Sequence, residues 1–173
     1  MSPSTQVLDL VLGLVDHPAA GVRAFAQAQM RAFPTPSSVA LLTGRFVKPS
    51  GRLTRAESLE ILASHPAEVG RDALDAALGD PDEGIRMLAL RLVETHRATS
   101  LAGTILRLAE EDPLPEVRTR ALAALWRLGV SDAVPLAIRM AQYEEPPVAA
   151  QAARLLGWLG DGKAFDLLQK LAR

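Results

Sequence analysis

The residues with chemical potential in this 173-residue chain are few: three histidines, two tryptophans, no cysteine, and 19 Lys or Arg against 20 Asp or Glu. His65 and His96 are 31 positions apart, in a column that also holds Phe33, Leu128 and Leu159. Two stacked imidazoles could share a metal or titrate together near neutral pH, but the other members of the column are apolar, so a partly buried packing position is the expected role. There is no nucleophile elbow, glycine-rich phosphate loop or HExxH, and no neighbouring histidine and carboxylate that suggest a metal site. Catalytic, cofactor-binding and metal-binding residues are therefore assigned to none. Arg107, Arg139 and Lys170 remain, 32 and 31 positions apart, which would form a basic stripe if the chain repeats with that period. Such a stripe would hold a partner's carboxylates. The competing role is solvated cations near helix C-termini, each favoured by about 0.3–1 kcal/mol.

The elements that must position them are helices. In DPLPEVRTRALAALWRLG, residues 112–129, prolines suit a first turn whose amide hydrogens would be unpaired anyway, and the acidic Asp112 suits the positive end of the helix dipole. Val117, Ala121, Leu122, Leu125 and Leu128 then recur at steps that place them on one face, and Gly129 supplies the left-handed residue that ends a helix.

This helix recurs. Val22, Thr54, Ile85, Val117 and Val148 are separated by 32, 31, 32 and 31 residues. Four positions later come Ala26, Ser58, Ala89, Ala121 and Ala152, and eight positions later Met30, Leu62, Val93, Leu125 and Leu156. Three columns in one register predict an all-α solenoid, in which each unit buries its apolar face only by stacking on its neighbours. Second helices are expected near 35–47, 67–78, 100–110, 132–143 and 163–173, after breaks marked by Pro34, Pro36, His65-Pro66, Gly129 and Gly160 to Gly162. The expected organisation is one domain over 1–173: an N-terminal capping helix at 1–16 and five helical hairpins at about 17–47, 48–79, 80–111, 112–143 and 144–173.

Composition agrees. The chain is 49% hydrophobic but only 4% aromatic, which suits closely packed Ala, Leu and Val helices. A net charge of −1 provides no general field toward nucleic acid or an anionic membrane. The absence of cysteine fits a reducing compartment, and the apolar run 7–15 lacks a basic leader, contains Asp9 and is too short to span a bilayer. A cytoplasmic protein is expected.

The order Asp-Pro, Val-Arg, then Ala and Leu at four-residue steps, then Leu-Gly, with a second helix completing about 31 residues, resembles the short HEAT-like repeat also found in phycobilisome lyases. The resemblance is clearest over 80–173 and weakest in the second repeat, where Thr54 and Ser58 replace apolar residues. It implies a right-handed superhelix whose second helices line a concave face, and a hydrogen bond between neighbouring repeats from the Asp and Arg of the motif. Asp80 with Arg86 and Asp112 with Arg118 match that pattern, whereas Glu145 and Ala149 in the last repeat depart from it. HEAT-like hydroxylases carry His-Glu pairs, and no histidine here precedes a glutamate. HEAT-like DNA glycosylases combine a basic concave face with aromatic residues; Trp126 and Trp158 are present, but late in first helices, where packing is expected.

The resulting expectation is a non-enzymatic adaptor that binds another protein through the concave face, with Arg107, Arg139 and Lys170 as binding residues and no cofactor. The alternative is a bilin-lyase-like or repair-glycosylase-like accessory factor. Apolar side chains at Val7, Leu8, Leu10, Val11, Leu12, Leu14 and Val15, and at Phe165, Leu167, Leu168 and Leu171, make self-association through the ends a further expectation. Acidic turns at Asp80, Asp82, Glu83, Glu110, Glu111, Asp112, Glu144 and Glu145 would orient a charged partner.

Overall fold

The computed structural model describes residues 5–65, 67–143 and 145–159, and the described residues are helices joined by turns, with no strand among them. The helices are α1 (Thr5–Leu12), α2 (Ala20–Ala32), α3 (Pro36–Val47), α4 (Arg55–Ala63), α5 (Ala67–Leu78), α6 (Glu83–His96), α7 (Ala102–Glu111, preceded by a 3-10 turn at Thr99–Leu101), α8 (Pro115–Arg127), α9 (Ala133–Tyr143) and α10 (Pro146–Leu159). The alternation of first and second helices follows the predicted period, and the arrangement is that of a HEAT-type helical solenoid. The expected last helix, 163–173, lies outside the described residues.

The helix starts have local causes. Thr35 caps α3: its hydroxyl accepts the Ser38 backbone N–H at 3.1 Å, the Ser38 hydroxyl accepts the Thr35 N–H at 2.9 Å, and Pro36 follows. Thr54 and Glu57 form the same reciprocal pair at the start of α4, at 3.1 and 2.8 Å. Asp82 caps α6 by accepting the Gly84 N–H at 2.8 Å. The first helix is shorter than expected. After Leu12 the chain continues through three-residue-spaced turn bonds, Gly13 N–H to the Leu10 carbonyl and Leu14 N–H to the Val11 carbonyl, and Asp16 turns away to bind the end of α3.

The backbone forms two compact units, residues 1–77 and 78–173, and their boundary falls beside the expected repeat boundary at 79/80. In the first unit α3 packs along α4, α2 along α4, and α1 against both α2 and α3. In the second, α8 is central, packed on α6, α7, α9 and α10. Among the described residues the most extensive helix packing joins a second helix to the first helix of the next repeat: α3 to α4, α7 to α8, and α9 to α10. Small side chains permit this. Ala26, Ser58, Ala89, Ala121 and Ala152 are all fully buried, and Met30, Leu62, Val93, Leu125 and Leu156 stack beside them with at most 2% exposure. Ser58, the polar exception in its column, donates its hydroxyl to the Thr54 carbonyl at 2.8 Å, so its burial leaves the hydroxyl satisfied.

Candidate functional site

The arginine that follows four of the five anchor residues does internal work. Arg23, Arg86 and Arg118 each direct Nη1 at the carbonyl six residues earlier, on His17, Asp80 and Asp112, at 2.8–2.9 Å. Each therefore holds the turn that precedes its own helix. Arg86 reaches further: its Nε and Nη2 donate to the two carboxylate oxygens of Asp112, at 2.8 and 3.1 Å, and both side chains are less than a tenth exposed. Asp112 Oδ1 also accepts the Leu114 N–H at 3.0 Å. The expected link between neighbouring repeats is thus made by Arg86 of one motif with Asp112 of the next. Arg86 takes the carboxylate of the following repeat and only the main-chain oxygen of Asp80, because the fork of a guanidinium fits a carboxylate in two parallel bonds.

Asp16 provides a related link in the first unit. Its carboxylate accepts Arg45 Nη1 at 2.8 Å and the Arg52 backbone N–H at 2.6 Å, and it also pairs with Arg45 Nη2. The Arg45 hydrogen bond, then the Arg52 N–H, hold the Asp16 carboxyl far below the ordinary carboxylate range. Gly51, at φ +70°, lies over this pair. A side chain there would clash with Asp16 Oδ1 and come within 2.7 Å of its Cγ.

The sequence-derived binding residues separate in the structure. Arg107, on α7, is exposed and makes no hydrogen bond or ion pair among the described residues. Arg139, on α9, is exposed but pairs through Nη2 with Glu110 Oε1 on α7, so part of its charge is already matched. Lys170 lies outside the described residues. The acidic turns also change character: Asp80 and Asp112 are buried, whereas Asp82, Glu83, Glu110, Glu111 and Glu145 are exposed.

Arg107 borders an open groove of the second unit, about 390 Å3, lined by Leu78, Pro81, Arg86, Leu108, Glu111 and Pro113, among others. No sequence argument located it, since its walls are two inter-repeat turns that meet only after stacking. A second feature missed by the sequence is Glu94, which pairs with Arg127 at 2.6 Å and approaches Arg120 at 3.0 Å, joining α6 to α8. The spacing of Glu94 and Arg127, close to one period, was the available signal.

The two histidines of the shared column part company. His65 is buried, with Nε2–H donating to the Met30 carbonyl at 3.0 Å and Nδ1 lacking a hydrogen-bond partner among the described residues. Burial pushes its pKa below the ordinary 6.5, against the opposing pull of the Met30 carbonyl. His96 is exposed at the end of α6, so the expected partly buried position is found for one histidine and not the other. Among the described residues no group of three His, Asp or Glu has the arrangement of a metal site. Trp126 is half-buried on α8, as packing requires; the side chain of Trp158 lies outside the described set.

Paired helices in register, internal arginine links and an exposed second-helix surface define an all-α helical-repeat protein. Residues 101–173 match the family model described as HEAT repeats, and the described helices have the arrangement of a HEAT-type solenoid. No curated protein matches it. HEAT repeats generally mediate protein–protein interaction, and no described helix is long and apolar enough to cross a membrane.

Proposed function

We propose that this protein is a non-enzymatic adaptor that binds another protein through the exposed side of its second helices. The observation that carries the reading is Arg107: an exposed cation on a stacked second helix, with no partner among the described residues, in a chain whose anchor arginines are spent on holding turns. Arg139, exposed beside Glu110, adds a charge pair that a partner's carboxylate can compete for, and Lys170 extends the series by sequence. Affinity in such a stack comes from a few buried anchors, and charge sets orientation. The general role of HEAT repeats supports the same reading.

The test is co-purification of partners on the wild-type chain and on Arg107→Glu/Arg139→Glu. A discrete protein retained by the wild type and lost by the double variant supports the adaptor. Retention of an identical set by both, or salt-sensitive DNA binding in place of a protein partner, counts against it.

A further inference from the structure

We propose that the groove beside Arg107 seats an extended segment of a partner protein, with a carboxylate side chain against Arg107 and an apolar side chain between Pro81 and Pro113. This deepens the adaptor reading and rests on it. At about 390 Å3 the groove is within the size range of ligand sites, yet it is open at the surface, which suits side chains presented by a chain passing over it. Leu78 and Leu108 are buried beneath it and the two prolines are exposed at its rim. Prolines offer no N–H, and the Asp80 and Pro81 carbonyls already accept Arg86 Nη1 at 2.9 and 3.1 Å. The rim therefore has little main-chain hydrogen bonding to offer, and recognition falls to side chains.

The charges of the groove divide into spent and unspent. Arg86 and Asp112 are bound to each other at 2.8 Å. Arg107 and Glu111 are exposed and without a partner among the described residues, although they stand four apart on α7. A base preceding an acid at that spacing is the weaker of the two orientations on a helix, which leaves both groups open to an external partner. The complementary segment carries an acidic residue for Arg107, an apolar neighbour for the prolines and a basic residue for Glu111. A uniformly acidic segment is disfavoured by Glu111 and the nearby Glu110.

The experiment selects a random-peptide display library against the full chain and measures resynthesised peptides on Arg107→Glu, Glu111→Lys and Arg139→Glu, with amide chemical shifts as the map. All three positions are exposed, so folding is retained. Support is a peptide set combining acidic and apolar residues, an affinity loss of about tenfold or more on Arg107→Glu, little change on Arg139→Glu, and shifts confined to 78–81 and 107–113. Peptides that bind Arg107→Glu as tightly as the wild type overturn the groove assignment and leave the adaptor reading standing. A library without binders, alongside a partner protein still lost on Arg107→Glu/Arg139→Glu, overturns the groove assignment alone. Failure of both overturns both.

Discussion

Arg97 and Gly129 occupy the same place in successive repeats, 12 residues after Ile85 and Val117, and both close a first helix in the left-handed conformation, at φ +50° and +73°. The closing hydrogen bonds match: Ala98 N–H to the Val93 carbonyl at 3.0 Å and Val130 N–H to the Leu125 carbonyl at 3.1 Å. Geometry at this position is set by the repeat, and arginine meets it at a steric cost. Arg97→Gly is expected to raise stability by about 0.5–1 kcal/mol, and Gly129→Ala, with nothing within 4 Å of the added methyl, to lower it by about 1 kcal/mol. Urea midpoints of the two variants check both signs. His65 adds a pH dependence whose direction follows from its burial. Its unfolded value is the ordinary 6.5 and its folded value is lower, so below about 6.5 the unfolded chain takes up a proton that the folded chain resists. The contribution is complete above pH 6.5 and is lost as the pH falls through the folded value. Urea midpoints should decline between pH 7.5 and 5, and His65→Gln should flatten that decline. Asp16 titrates in the acid range, because its depressed carboxyl contributes above about 3.8 and loses that contribution only at lower pH.

At the scale of the element, the helices and their stacking faces were legible because both rest on local chemistry. Apolar steps of three and four residues, Thr and Pro at starts and Gly129 at an end are read without knowledge of neighbours. What was not legible is how charge is shared between elements. Asp112 reads as a helix-start residue, yet Leu114 is the residue at the cap, and the Asp112 carboxylate is drawn inward by Arg86 from the preceding repeat. The binding candidates show the same limit: periodicity found Arg107 and Arg139, but only stacking places Glu110 against one and a groove beside the other. Arg86 and Asp112 also make the sharpest mutational contrast. Asp112→Ala leaves a buried guanidinium without its counter-ion and should cost about 3 kcal/mol or more. Arg139→Ala removes an exposed pair and should change stability by no more than about 1 kcal/mol. Equal shifts in urea midpoint for these two variants would contradict the division between structural and available charge.

At the scale of the whole molecule, the two units differ in what they show to solvent. Among the described residues the exposed large apolar side chains, Val7, Leu10, Phe25 and Val47, all lie in the first unit, with Leu10 at 75% and Val47 at 73% exposure. The second unit instead exposes charges at its turns, including Asp82, Glu83, Glu110 and Glu111. On α1, Val7 and Leu10 leave an exposed apolar side. Burying Leu10 in a contact would recover about 1.5–3 kcal/mol, enough for weak association when several such side chains act together. The expected outcome is a mean mass by light scattering that rises with concentration for the wild-type chain and stays at 18.5 kDa for Leu10→Glu/Val7→Lys. Because both positions are already in water, the substitutions should leave the helical circular dichroism unchanged, so a loss of association would report the surface itself. A wild-type chain that remains at monomer mass at high concentration would end the self-association reading and leave the charged second unit as the site where partners are sought.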